Sequence, residues 1–320
     1  MTAGKKLLWM FIGVVLTLVL ICGACAPLAL LASTLQGAQM SSQLPSGPAV
    51  AIVRVEGVIV SGDPPISPFG TQSAAAHSGQ IVRHLKWAEG NSNVKAVVLH
   101  VDSPGGSVVA SSEIHQQMAA MTKPVVVSMG ELAASGGYYV SAPARMIFAN
   151  PDTLTGSIGV IAQFLDLSQL LAEYGVAATT IKSGAFKDEG SMFRPMNDAE
   201  KAVWQAIIDE AYEGFVNVVS DGRGLSPEEV KKIADGRVYT GRQAKELKLV
   251  DELGNLPEAV RKAGEMGGIA GEPQTVEYKE PLDIFQNLFK LQGPSEPLAA
   301  LLELLDRGHG AALQYLYVAP

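Results

Sequence analysis

Ser135 lies between two alanines and two glycines in the stretch 133–139. Glycine lets a backbone approach a ligand closely and adopt angles that other residues avoid, and the small neighbours leave the serine accessible. A helix predicted to begin at Gly136 would aim its free N–H groups at the serine and favour negative charge there. These features suit an acyl-transfer nucleophile. They are equally typical of a strand-to-helix turn that contains a structural serine.

A serine nucleophile needs a base, and here lysine is a better candidate than histidine. None of the histidines lies in a loop beside a strand end with an acidic partner, and none has a metal-ligand spacing such as His-x-x-x-His. A neutral lysine amine can accept the serine proton. Lys187 lies in a charged, glycine-bearing loop, 183–195, and Lys182 ends a predicted strand, 177–182. From context alone Lys187 is the better candidate, Lys182 is its rival, and either is also compatible with an ordinary surface lysine.

A second glycine turn, 102–106, supplies candidate donors for an oxyanion. It follows the apolar run 94–101 and precedes a predicted helix, so the N–H groups of Gly105 and Gly106 would point outward at the strand's carboxyl end. The N–H of Gly136 would be the second donor. The same residues are also compatible with a strand-to-helix turn that has no chemical role, or with a turn that cradles a phosphate. No Gly-x-Gly-x-x-Gly or Gly-x-x-x-x-Gly-Lys pattern accompanies it, however.

The pattern of elements predicts an α/β fold with a parallel sheet. The run 94–101 is apolar on almost every residue, which is typical of a strand buried on both faces. Strands alternate with helices along the chain, as crossover connections require. Further strands are predicted at 49–60 (a pair or one bent strand), 124–128, 146–149, 155–160 and 177–182. Helices are predicted at 78–89, 107–121, 136–142, 165–174, 198–219 (with Asp198 as its cap) and 256–266, and others begin at Ser226 and Thr240.

The N-terminal region predicts a membrane anchor. Residues 7–32 carry no charge and exceed the roughly 20 residues that span a bilayer. Lys5 and Lys6 precede them, so residues 1–6 are expected in the cytoplasm and the rest outside it. A cleaved signal peptide fits less well because the apolar region is long and Pro27 follows the Ala-x-Ala site, and the residues before Cys22 and Cys25 fit a lipoprotein poorly. Both cysteines lie in this segment, so the remainder has no disulfide, cysteine nucleophile or thiolate metal ligand.

The rest of the chain divides into a linker, a main domain and an extension. Residues 33–49 are a polar linker, 50–270 the main domain, and 271–320 an extension with short amphipathic helices predicted at 282–291 and 297–305. The last residues, 313–320, are apolar and extended, and we hypothesise that they occupy the site as a product-like or inhibitory peptide or help assembly. The net charge of −8 with no basic block argues against a nucleic-acid partner.

Several motifs, in this order along the chain, resemble the bacterial signal peptide peptidase A family over about residues 50–270. The single copy with an anchor is similar to the short form rather than the tandem-duplicated form. The motifs are Asp-Ser-Pro-Gly-Gly at 102–106, Ala-Ser-Gly-Gly-Tyr-Tyr at 134–139, Thr-Gly-Ser-Ile-Gly-Val at 155–160, Lys-Ser-Gly at 182–184 with Lys-Asp at 187–188, Tyr-Thr-Gly-Arg-Gln-Ala at 239–244 and Leu-Val-Asp at 249–251.

The resemblance implies a fold like that of ClpP and crotonase, with repeated β-β-α units, and a serine–lysine dyad without a cofactor or metal. It implies Ser135 as nucleophile, Lys187 as general base and Ser157 as a residue that orients the lysine. Gly106 and Gly136 match the oxyanion region, with the choice between Gly105 and Gly106 open.

The same resemblance implies the cellular role and the assembly. It implies cleavage of remnant signal peptides or other hydrophobic peptides at the outer side of the bacterial cytoplasmic membrane. It also implies a ring-like homo-oligomer whose serine and lysine come from neighbouring subunits. The alternatives are a related membrane-bound protease with another substrate, a crotonase-like acyl-CoA enzyme, and a non-catalytic scaffold on the same fold.

Overall fold

The computed structural model describes residues 45, 47–64, 75–278 and 314–316. Its strands are β1 (Ala49–Glu56), β2 (Val58–Val60), β3 (Ala75–His77), β4 (Val94–Ser103), β5 (Gly105–Ser107), β6 (Val125–Ala134), β7 (Met146–Ala149), β8 (Leu154–Gly156), β9 (Val238–Thr240), β10 (Glu252–Leu253), β11 (Gln274–Glu277) and β12 (Gln314–Leu316). Its helices are α1 (Ser78–Gly90), α2 (Val108–Ala119), α3 (Gly136–Ser141), α4 (Ser168–Glu173), α5 (Asp198–Arg223), α6 (Pro227–Lys231), α7 (Gly241–Glu246) and α8 (Leu256–Met266).

The main sheet is mostly parallel, as expected for an α/β fold. Its strand order is β10-β7-β6-β4-β1-β11, and these neighbours all pair in parallel. The carboxyl end of β6 also pairs in parallel with β8, which pairs antiparallel with β9. A smaller sheet has the order β12-β5-β2-β3, so each long strand β1 and β4 is followed at once by a short strand of the second sheet.

The near-continuous burial of β4 and β6 arises because helices cover both faces of the main sheet. Successive side chains of a strand point to opposite faces. Val97 and Leu99 therefore pack in the larger core with α1, α2 and α3, whereas Ala96 and Val98 pack against α8. The apolar run that predicted a buried strand is thus explained by two helical layers rather than one.

Three local predictions are wrong. Residues 177–182 form no strand and are exposed, because no strand among the described residues pairs with them. The long helix is capped by Asn197 rather than Asp198: the Asn197 side chain accepts a hydrogen bond from the N–H of Glu200, and the Glu200 carboxylate accepts one from Asn197 N–H. The strand predicted at 155–160 ends at Gly156.

Several other predictions concern residues that lie outside the described ranges. These are the anchor at 7–32 and the short helices at 282–291 and 297–305. Within the described ranges, no helix is both long and apolar enough to cross a membrane. The main sheet continues past residue 270, since Gln274–Glu277 pairs with β1 at the sheet edge.

Candidate active site

Ser135 lies at the junction where β6 ends and α3 begins. It is only 1% exposed, and its backbone is in the left-handed region with φ 53° and ψ −115°. Such a conformation is costly for a residue with a side chain and recurs at functional sites. Its hydroxyl does not cap the helix, and its N–H donates to the carbonyl of Gly156 at 2.8 Å. The strained turn therefore holds the Ser135 backbone in place and leaves its hydroxyl out of the helix cap.

Ser157 is brought to Ser135 by the pairing of β6 with β8. Ala134 is the partner of Gly156 in the register, so the two serines follow paired residues. The Thr155 hydroxyl strengthens the pairing by donating to the carbonyl of Ala133 at 2.7 Å. Ser157 also has a positive φ, 49°, and both serines line one cleft of about 550 Å³. The structure thus places Ser157 beside the predicted nucleophile.

The glycine turn between β4 and β5 packs against the start of α3. A Cβ on Gly105 would collide with the backbone nitrogen of Gly136 and with the carbonyl oxygen of Tyr315. A Cβ on Gly106 would collide with the backbone of Ile59. Both glycines have positive φ, 96° and 156°, so close approach and backbone conformation both require glycine here.

The hydrogen bonds of this turn bear on which glycine N–H could face an oxyanion. The N–H of Gly105 donates to the Ser103 hydroxyl at 3.1 Å, and that hydroxyl donates to the carbonyl of Gly57 at 2.7 Å. The Gly105 donor is therefore engaged within the turn, while Gly106 is paired with Ile59 of β2 and with Tyr315 of β12. These bonds do not decide between the two glycines.

A buried tyrosine fixes the helix that follows the serine. Tyr138 is fully buried, and its hydroxyl donates to the carbonyl of Leu249 at 2.9 Å. Burial raises the pKa of Tyr138 well above its usual range, so the phenol stays protonated as a donor. This bond ties α3, and with it the N–H of Gly136, to the segment after α7.

The two candidate lysines differ in their contacts. Neither Lys182 nor Lys187 lines this cleft. Lys182 forms an ion pair with Asp188 at 2.5 Å and donates to the carbonyl of Ala185 at 2.9 Å. Lys187 is exposed, and its ammonium has no hydrogen bond or ion pair among the described residues. The amine of Lys187 is therefore available, whereas that of Lys182 is held in place.

The described piece of the C-terminal tail lies against the glycine turn. Tyr315 pairs antiparallel with Gly106, and Gln314 exchanges two backbone hydrogen bonds with Ile161, a residue that lines the cleft. The Tyr315 ring is 2% exposed, stacks on Tyr139 and contacts Phe215. The tail is thus a strand that bridges the two edges of the site.

Sequence reasoning missed the residues that complete the cleft from distant parts of the chain. Asp209 and Tyr212 of α5 and the turn at Gly236 line it. An amphipathic helix pattern shows which face is apolar but not which sheet edge that face meets, so no local signal identifies them. No cluster of three or more metal-ligating side chains occurs within the described ranges.

Comparison with known proteins agrees with this geometry. Residues 117–269 match the model of peptidase family S49, and residues 68–155 match that of Clp protease. A Synechocystis protein provisionally named a protease is 39% identical over 238 residues, which are 73% of this chain and 80% of that protein.

Two further relatives are named for more specific activities. An Enterococcus faecium protein provisionally named signal peptide peptidase SppA is 45% identical over 179 residues, 55% of this chain and 52% of that one. Protease 4 of Haemophilus influenzae is 38% identical over 220 residues, 68% of this chain but only 34% of that longer protein. The S49 match includes Ser135, and the Clp protease match includes both Ser135 and the glycine turn. The chain belongs to peptidase family S49, the serine peptidases that its α/β fold and its strained serine had indicated.

Proposed function

We propose that this chain is a membrane-anchored serine endopeptidase in which Ser135 is the nucleophile and Lys187 the general base. The observation that carries the proposal is the backbone of Ser135. It has a positive φ at a strand-to-helix turn, next to the N–H of Gly136 and against the glycine turn of β5. A strained turn of this kind presents a nucleophile beside oxyanion donors.

The reaction follows from these positions. The amine of Lys187 accepts the proton as the Ser135 oxygen bonds to the carbonyl carbon of the scissile peptide. The N–H groups of Gly106 and Gly136 stabilise the oxyanion. The C–N bond then breaks, the amine leaves with the proton from the lysine, and an ester remains on Ser135. Water, deprotonated by the lysine, then hydrolyses that ester. The Ser157 hydroxyl orients the amine of Lys187.

We place the fold with those of ClpP and crotonase, whose units repeat as β-β-α. The order β1, β2 and α1, with β3 between the last two, supports this. So does the order β4, β5 and α2, because each long strand is followed by a short one and then by a helix.

The lysine and serine are proposed to meet across a subunit boundary of a ring-like homo-oligomer. Lys187 is exposed and does not line its own chain's cleft. The segment 162–196, here called the arm, exposes large apolar side chains, including Leu165 at 65%, Tyr174 at 76% and Ile181 at 97%. Such a surface is typical of an interface, and the Clp protease match supports an assembly.

The substrates are proposed to be remnant signal peptides and other hydrophobic peptides, bound as an added strand. The position of Gln314–Leu316 between β5 and Ile161 supports this mode, because a peptide could form the same backbone bonds. The name of the Enterococcus faecium relative supports the substrate class. The apolar segment 7–32 would keep the site beside membrane-borne peptides, outside the cytoplasm.

Hydrolysis of hydrophobic fluorogenic peptides by the full chain in detergent tests the proposal. We expect Ser135→Ala to lower kcat/KM by at least about 1,000-fold, because no other group can form the ester. Ser128→Ala is the matched control, since Ser128 is a buried serine on the same strand, and it should retain most activity. Ser135→Ala hydrolysing like the wild type would rule out the nucleophile.

A further inference from the structure

A cluster of charged side chains ties the proposed base to the body of the molecule. The Arg194 guanidinium donates to both carboxylate oxygens of Asp188, at 2.9 and 2.7 Å, and to the Asp188 carbonyl at 3.2 Å. It also donates to both oxygens of Glu200, at 2.9 Å for Oε2. A planar guanidinium can hold two carboxylates in this way, and a lysine cannot. Asp188 is the residue next to Lys187.

The other end of this cluster is fixed in the long helix. Glu200 is fully buried, and its carboxylate also accepts a hydrogen bond from the N–H of Asn197 in the capping box of α5. Glu200 is the third residue of α5. Arg194 therefore bridges the capped start of α5 and the exposed turn that carries Lys187.

Few other contacts hold the arm. All of its residues are half-buried or exposed, and α4 buries none of its side chains. Within the arm, the N–H of Leu167 donates to the carbonyl of Met192 at 2.8 Å. The Phe164 ring packs edge-on against Trp204 of α5, with centroids 4.8 Å apart. Arg194 adds the ion pair that links the turn of Lys187 to α5.

The cluster also affects the electrostatic environment of the Lys187 amine. Asp188 and Glu189 follow Lys187 directly, and a carboxylate close to an amine favours the ammonium form, which cannot accept a proton. Here Arg194 and Lys182 both bind the Asp188 carboxylate, and their hydrogen bonds hold the pKa of Asp188 well below its usual range. Its negative charge is therefore compensated by two cations, and it forms no ion pair with Lys187.

From these contacts we infer that Arg194 is a positioning residue for the peptidase reaction. By linking Asp188 to Glu200 through two ion pairs, it fixes the turn that carries Lys187. It also keeps the Asp188 carboxylate away from the Lys187 amine. This role rests on the proposed function of Lys187. It holds whether that lysine serves its own chain or a neighbouring one. The charged groups around Lys187 are Lys182, Asp188, Glu189 and Arg194 of the arm and Glu200 of α5.

The test is Arg194→Gln in the full chain, with Arg261→Gln as the matched control. Arg261 forms an exposed ion pair with Glu258 on α8, so its loss should change little. For Arg194→Gln we expect kcat to fall about 100-fold, as for a misplaced catalytic group. We also expect the acidic limb of the pH–rate profile to move to higher pH by about one unit, since Asp188 is released. Arg194→Lys should restore part of kcat.

A second variant separates positioning from loss of folding. Asp188→Asn leaves the ion pair of Arg194 with Glu200 intact and removes the charge of residue 188 that binds Arg194 and Lys182. It should lower kcat about tenfold without moving the acidic limb to higher pH, because no carboxylate is released. Thermal unfolding is measured for every variant.

Three outcomes would overturn the inference. One is wild-type kinetics in Arg194→Gln. Another is a fall in kcat in that variant that parallels its loss of thermal stability, while its pH–rate profile is unchanged. The third is an unfolded Arg194→Gln accompanied by wild-type kcat in Asp188→Asn. Failure of the proposed function is distinct, because wild-type activity would then be absent or would survive in Ser135→Ala.

Discussion

The two halves of the proposed dyad are built in opposite ways. Ser135 is 1% exposed and lies between a ten-residue buried strand and a helix anchored by Tyr138. Lys187 lies on an arm where Ile181 is 97% exposed and where an ion cluster replaces a hydrophobic core. The nucleophile is therefore preorganised by packing within one chain, whereas the base is positioned by charge and, in our proposal, by a second subunit.

The largest expected effect tests which of the two candidate lysines is the general base. Lys187→Ala should lower kcat/KM by about 100-fold or more, since it removes the general base. Lys182→Ala is the matched control. Its ammonium is held by Asp188 and the Ala185 carbonyl, so its loss should cost less than about tenfold. Peptide hydrolysis by both variants measures this, and the reverse order would assign the base to Lys182.

The next effect tests whether the two halves meet across a boundary. Ser135→Ala and Lys187→Ala chains are each expected to be inactive, but random mixed oligomers should contain intact sites. If every site takes its serine from one subunit and its lysine from the next, roughly a quarter of the sites are complete. Activity is assayed after joint refolding, and the mixing is verified by mass. Inactive mixed oligomers would place both residues in one chain.

The smallest effect concerns the tail that covers the serine half. Tyr315→Ala removes a stacked ring and a hydroxyl that donates to the Ala211 carbonyl at 3.0 Å. Each aromatic contact contributes about 1 kcal/mol, so a tail that competes with substrate should leave more readily. We expect kcat/KM to rise about three- to tenfold. Initial hydrolysis rates measure the change.

Two further variants test whether the effect of Tyr315→Ala comes from release of the tail. Tyr278→Ala is the matched control because Tyr278 packs on Trp87 and does not line the cleft. Deleting residues 310–320 should have the same effect as Tyr315→Ala. Unchanged activity and unchanged assembly in the deletion would remove both an inhibitory and an assembly role for the tail.

Much of the serine half could be predicted because its signals are local. The apolar run of β4 predicted a buried strand, and Ser135 with its glycines predicted a turn at a strand end, since small residues are required where backbones touch. The hydrogen-bond network within the turn was not predictable. Only the folded turn brings the Ser103 hydroxyl to the N–H of Gly105.

The arm was predicted less well, for an identifiable reason. Thr179, Thr180 and Ile181 are β-branched, and such residues favour a strand. A strand also needs a neighbour to pair with. No strand of the described ranges pairs with these residues, and they stay exposed. Arg194 gave no signal either, because its two carboxylates, at 188 and 200, meet only when the arm turns back onto α5.

The amino-acid sequence by itself determined the chemistry on offer: a serine among glycines, an available lysine, a second glycine turn and no cysteine outside residues 7–32. These are properties of residue type and short spacing. Only the tertiary structure decided that Ser157 lies beside Ser135, that Tyr315 packs on Tyr139 and Phe215, and that Lys187 does not line its own chain's cleft. Those facts depend on strand pairing and long-range packing between residues far apart in the chain, and no local pattern encodes them.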